Sequence, residues 1–371
     1  MGGRRQPAGG TLPEQAGNAE LSGGVITGLP MLNQATRLGV ELERQPPCAI
    51  SPVTIPCMPR VSHVRRLILP LALACGGSDA TPDEEGVVLQ PLSASLAGET
   101  VGMRSPESVR YDDDLDVFYI SNIDGDPAGR DGRAFIAVVP AETLSVMRVL
   151  AEGGRGGVTL NAPKGMALTG DTLWITDIDV VRGLHRRTGA AVVTIDFAPQ
   201  GAVFLNDIAV GPNGALYVTD SNIRIASDGS MTKPGMDRIF RISNRVVSEV
   251  ARGAAFGTPD GMTWQDTTGV WLLAPFASAE VQTWIEGDSL PGTLAAGPGQ
   301  YGGIEALRDG RILVSSHADS AVHLITHGEM TTLIANVRGP GDIGYDPKRG
   351  VIAVPRVMDN KVDYFQLKAG R

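Results

Sequence analysis

The chain has 371 residues, with 32 Lys and Arg against 41 Asp and Glu, and a formal net charge of −9. An acidic chain of this kind is a poor match for phosphate backbones, so nucleic acid is set aside as a partner. Three cysteines (Cys48, Cys57 and Cys75) give no disulfide framework and no cysteine metal cluster.

Residues 1–57 come first in chain order. They carry Gly, Pro, Gln and Ala without a sustained helical or strand period. From Met58 to Ala80 the chain reads "MPRVSHVRRLILPLALACGGSDA", which has the parts of a secretory signal. Arg60, Arg65 and Arg66 precede an apolar run, Leu67 to Ala74. That run is shorter than the roughly 20 residues needed to cross a bilayer. "LALAC" at 71–75 resembles a bacterial lipobox, in which the cysteine is acylated and becomes the new N-terminus. The competing reading, a small core helix or strand, fits poorly with the Gly, Ser and acid-rich tether "GGSDATPDEEG" that follows. The expectation is translation from Met58, with 1–57 a non-native or disordered extension and 58–75 a signal peptide. Cys75 is then lipidated, and the product is an exported, membrane-anchored lipoprotein of the cell envelope, periplasmic or at the surface. Residues 1–74 hold seven Lys/Arg and four Asp/Glu, so the mature chain carries a charge of about −12.

After the tether, glycine is abundant (47 in the chain) and short β-rich runs recur. One pattern repeats: an apolar strand, a turn with Gly or Asp, and a second apolar strand. Its copies are "ESVRYDDDLDVFYISNID" from Glu107, "KGMALTGDTLWITDID" from Lys164 and "NDIAVGPNGALYVTDSN" from Asn206. "DGMTWQDTTGVWLLAPF" from Asp260, "GGIEALRDGRILVSSHAD" from Gly302 and "GDIGYDPKRGVIAVPRV" from Gly341 complete the set. The starts are 57, 42, 54, 42 and 39 residues apart, the period of a β-propeller. Further strand-like runs such as "RAFIAVVP" and "SVMRVLAE" make four strands per unit. The chain is therefore all-β, a six-bladed propeller over 101–371. The last unit lacks a fourth strand before Arg371. The segment Val87 to Met103, overlapping a tether and ring-closing region at 76–100, is expected to supply it by pairing with "KVDYFQL".

In a propeller the first strand of each blade lines the channel, which brings Glu107, Lys164, Asn206, Asp260, Gly302 and Gly341 to one mouth. Hard cations take carboxylate and amide oxygens, so Glu107, Asn206 and Asp260 form a candidate metal cluster. Asp207 and Asp342 add charge beside it. The alternative is a polar channel in which Lys164 is the counter-ion of Glu107 or Asp260, with no metal. A second set stands where the second strands end: Asn122 and Asp124, Asp177 and Asp179, Asp220 and Asn222, and His317 and Asp319. These read as side-chain turns to local backbone. "GGRGG" at 153–157 reads as a loop, and His323 and His327 as surface residues of an outer strand. No Gly-x-Ser-x-Gly elbow, His-Glu-x-x-His or Gly-Lys-Ser/Thr loop is present.

"ESVRY" at Glu107, "LNDIAVGPNGALYVTD" and "PDGMTW" at 259–264 resemble segments of the senescence marker protein/gluconolactonase/luciferin-regenerating enzyme family. "YVTDSN" is also similar to NHL repeats. The resemblance implies a divalent cation, Ca²⁺ or Zn²⁺, held by Glu107, Asn206 and Asp260, and hydrolysis of a sugar-like lactone. On that reading Asp260 is the base, with Asp207 next, and Lys164, Asn206 and Glu305 bind substrate. The chain departs from the family at Gly302, where a further carboxylate is expected and only Glu305 is near. The alternative is a non-catalytic NHL-like propeller that binds a small ligand or an envelope protein.

Overall fold

The computed structural model describes residues 89–145, 148–226 and 228–370. The expected start at Met58, the expected signal at 58–75 and Cys75 lie outside the described residues.

Six four-stranded antiparallel sheets stand around one axis. Blade one comprises Pro106–Asp112, Val117–Asn122, Phe135–Pro140 and Arg148–Glu152. Blade two is Pro163–Thr169, Thr172–Asp177, Val180–His185 and Ala191–Asp196. Blade three is Leu205–Val210, Leu216–Asp220, Arg238–Ser243 and Val246–Arg252, with a two-stranded ribbon (Arg224–Ile225 with Met231–Thr232) inserted after its second strand. Blade four is Pro259–Gln265, Val270–Pro275, Glu280–Trp284 and Gly292–Ala296. Blade five is Tyr301–Ala306, Ile312–Ser316, Ala321–Thr326 and Glu329–Ile334. Blade six is Gly344–Asp346, Val351–Arg356 and Lys361–Ala369, and its outer strand is Leu92–Val101 from the other end of the chain. That strand runs antiparallel to the last one, from Leu92 opposite Ala369 to Val101 opposite Lys361. The expected closure is therefore present, and its donor lies within Val87–Met103.

The second strand of each blade is covered on both faces by neighbouring blades. This is why "VFYIS", "LYVTD" and "ILVSS" read as nearly unbroken apolar runs, and every residue of Val117–Asn122, Leu216–Asp220 and Ile312–Ser316 is buried. The cores lie between blades rather than within them. Tyr119, Ile136, Met166 and Ile175 join blades one and two; Tyr217, Ile239, Met262 and Trp271 join three and four. Phe118, Val109, Ala353 and Tyr364 join the last blade to the first, so the closing strand completes a core as well as a sheet.

The first strands line the axis side by side. Their approach is close enough to demand glycine: a Cβ on Gly261 would sit 2.5 Å from the Gly302 carbonyl oxygen and 2.9 Å from Gly303 Cα. "GGRGG" is a turn between blades one and two, as expected. His323 differs from expectation. It lies on the third strand of blade five, only 4% exposed, with Nε2 3.2 Å from Asp319 Oδ1. An apolar-looking alternation, "AVHLIT", packs that strand on both faces, and the imidazole enters the interior because Asp319 meets its polar edge.

Candidate functional site

In blades one to five the pairing of first and second strands slips at the same place, next to the channel residue: Pro106/Val109, Pro163/Met166, Leu205/Ile208, Pro259/Gly261 and Tyr301/Ile304. A bulge leaves a residue out of the ladder and re-aims it, here toward the axis. Pro106, Pro163 and Pro259 open three of these strands, at the end position where a missing N–H is tolerated.

Second-strand hydroxyls hold the bulges. Thr219 Oγ1 accepts from Asp207 N at 2.8 Å and donates to the Asp260 carbonyl of the next blade at 2.8 Å. Ser315 Oγ likewise accepts from Gly303 N (2.8 Å) and donates to Gly341 O (2.8 Å). Thr176 Oγ1 donates to Asn206 O at 2.6 Å, and Ser108 N donates to Ser121 Oγ at 2.9 Å. Asn206, Asp260 and Gly341 are thus each fixed by the preceding blade. The neighbouring Asn and Asp, in the motif that the sequence singled out, do local work. Asn122 Oδ1 accepts from Arg104 N (2.9 Å), and Asp177 Oδ1 from Ala162 N (2.8 Å). Asp220 accepts from Phe204 N, Asn222 N and the Arg238 guanidinium. These residues latch the incoming chain to its own blade.

At the near mouth the structure brings together Glu107, Lys164, Asn206 and Asp260. Burial raises the Glu107 carboxyl well above the usual range, reinforced by Asp260 and Asp342 and opposed by Lys164. Burial likewise raises Asp260, which also feels Asp342, while Lys164 and the Asn206 amide favour its charged form. Glu107 Oε2 is buried without a hydrogen-bond partner. The Lys164 ammonium donates to Ala162 O at 3.1 Å and Pro127 O at 3.0 Å, and sits 4.2 Å from the centre of the Phe204 ring. Pro127 belongs to the excursion between the second and third strands of blade one, which thereby reaches the mouth. Arg130 of the same excursion pairs with Asp179 of blade two at 2.6 Å.

Two candidates lie elsewhere. Asp207 is 2% exposed and one residue deeper. Its Oδ2 accepts from Met262 N and its Oδ1 from Ile208 N, both at 2.7 Å, so it straps blade three to blade four. Glu305 is deeper still, across the axis from blade one, where Arg110 Nη1 meets Oε1 at 2.9 Å. Burial pushes Glu305 up to about 7 against the pull of Arg110. Asp342 Oδ2 accepts from Ser108 Oγ at 2.6 Å. Arg110 is not singled out by sequence reasoning; its only signal is a cation at the fifth position of a channel-lining strand.

Among the described residues, no three His, Cys, Asp or Glu side chains are spaced to hold a metal ion. The near mouth offers two carboxylates and an amide instead. A buried, unpartnered oxygen on Glu107 and two carboxyls that repel each other are what a hard cation would satisfy, so the donor set fits one.

No protein-family profile matches the chain, and no curated protein matches it in sequence. Solved structures do match. A structural-genomics target assigned as a gluconolactonase is 16% identical, covers 76% of this chain and 94% of its own, and superposes with a TM-score of 0.57. A gluconolactonase from Xanthomonas campestris is 15% identical, with 72% and 88% covered and a TM-score of 0.54. A luciferin-regenerating enzyme is 10% identical, with 75% and 96% covered and a TM-score of 0.55. The chain has the six-bladed propeller fold of the gluconolactonase-like and luciferin-regenerating propellers.

Proposed function

We propose that the near mouth binds a divalent cation, Ca²⁺ or Zn²⁺, through Glu107, Asn206 and Asp260, and that the protein hydrolyses a small sugar-like lactone there. The observation that carries this reading is the buried, unpartnered Glu107 Oε2 beside Asp260 and Asn206. A cation bound at such oxygens polarises a carbonyl and lowers the pKa of water. Asp260 is the residue placed to take a proton, since burial and Asp342 raise its affinity for one. Asp207, with both oxygens committed to backbone N–H groups, is a support for that residue rather than a second base. Lys164 contributes an amine at the mouth whose proton burial loosens and Glu107 and Asp260 help to hold, and Asn206 an amide.

The second reading, a non-catalytic propeller that binds a small ligand or an envelope protein, draws on Lys164. Its ammonium already stands near Glu107 and Asp260 as a built-in cation. Calorimetric melts with and without Ca²⁺ and Zn²⁺, followed by a lactone panel, separate the two. The first reading expects a cation-dependent rise in melting temperature that Asp260→Ala removes, together with lactone turnover. A flat response to both ions refutes it, and turnover without such a response does too. Export and anchoring through Cys75 are proposed alongside, on the signal-like stretch alone. Labelled palmitate should enter the wild-type protein and not Cys75→Ser, and a mature protein that keeps residues 1–57 would refute the idea.

A further inference from the structure

The axis has a second mouth, where the first strands end, and it opens into a cavity of about 500 Å³ walled by blades one to four. Trp264, Arg110, Thr263, Asp266 and Asn213 line it together with apolar residues such as Leu168 and Pro212; Tyr111 borders it, but its ring packs on Phe118 and its hydroxyl donates to Asp116.

Trp264 is half-buried, and its ring is braced at 5.3 Å by the buried Trp271. The indole N–H groups of Trp174 and Trp284 donate to Thr169 Oγ1 (2.6 Å) and Asp288 O (3.0 Å). Trp264 has no such acceptor among the described residues and is not one of the buried unpaired groups, so its N–H is open to solvent. Asp266 and Asn213 are exposed at the rim, Asn213 in the left-handed conformation (φ 62°). Arg110 lies at the floor with its guanidinium committed: Nη1 to Glu305 Oε1 at 2.9 Å and Nε to Met166 O at 2.8 Å.

That arrangement selects among ligands. An anion would have to compete with Glu305 for Arg110 and approach the Asp266 carboxylate, which costs more than one spare N–H returns. A rigid indole face with its own donor, ringed by a carboxylate, an amide and a hydroxyl, matches a ring with an apolar C–H face and hydroxyls around its edge. We propose that the far mouth is a binding pocket for a neutral, hydroxyl-rich ring of monosaccharide size. The pocket is independent of the near mouth, from which the Arg110–Glu305 pair separates it.

The test is ligand-observed NMR titration of the whole protein with methyl glucoside and myo-inositol, against gluconate as anion and tetramethylammonium as cation. At least one neutral ring is expected to saturate with a half-point of about 1–10 mM, typical of a single-ring contact. Asp266→Asn, a change at an exposed residue that leaves the fold intact, should weaken it roughly tenfold by removing a charge-assisted hydrogen bond. Trp264→Ala should abolish it, and Asp260→Ala at the near mouth should leave it unchanged. The proposal is overturned if neither neutral ring saturates, or if only gluconate or only tetramethylammonium does. Binding that survives Asp266→Asn at full strength, or is lost in Asp260→Ala, overturns it equally.

Discussion

Thr219 is the smallest part whose removal should be felt at the candidate site. It is completely buried, and its hydroxyl joins Asp207 N in blade three to the Asp260 carbonyl in blade four. Thr219→Val keeps the shape and the β-branch but removes both bonds. Two buried polar groups are then left without partners, at about 1–3 kcal/mol each, and partial relaxation brings the sum to about 3 kcal/mol. For a domain of this size each kcal/mol moves the melting temperature by about 2–4 °C, so the variant should melt about 8 °C lower. Thr219→Ser keeps the hydroxyl and loses one methyl, for about 1 kcal/mol. Scanning calorimetry of wild type, Val and Ser variants should therefore rank them with Val clearly last. Because the Asp260 backbone loses its anchor, any cation-dependent gain in stability should shrink in Val and persist in Ser. Equal melting temperatures for the two variants would refute the bridging role.

Three further outcomes follow from the geometry. Starting the chain at Ser105 removes Leu92–Val101, exposes the edge of Lys361–Ala369 and strips Thr100 from the buried Tyr364 hydroxyl, so the shortened protein should aggregate or lose many degrees of stability in a melt; an unchanged melt would contradict closure by this strand. Gly261→Ala forces a methyl against backbone of blade five, with no flexible side chain to yield, and should cost at least as much as Thr219→Val by chemical denaturation; wild-type stability would contradict the tight axial packing. Burial lowers the His317 imidazole from 6.5 to about 4, so between those values the unfolded chain binds a proton that the folded one refuses. Its contribution is thus fully present above pH 6.5 and is lost as the pH falls toward about 4; His317→Phe, beside the Phe276 ring, should flatten that part of the stability profile measured by urea titration, and an unaltered slope would refute the assignment.

The blade count, the strand order and the closing strand were legible in sequence because each depends on local patterning. Second strands such as "VFYIS" are covered on both faces and so repeat as apolar runs, and the missing partner of "KVDYFQL" left a gap that one segment could fill. The near-mouth residues were legible for the same reason: they stand at the same position of each repeat, where a bulge in blades one to five puts them on the axis. What faces them was not. Lys164 meets Pro127 and Phe204, Arg110 meets Glu305 from 195 positions away, and Asp207 turns out to be a strap between blades. His323 reads as a surface residue in sequence because alternation along one strand does not reveal what packs on its outer face. Closing the ring sets partners across an axis to which each blade contributes one strand, and spacing within a single repeat carries no information about the opposite side. Sequence period determined which residues reach the channel, and ring closure decided which charges meet there.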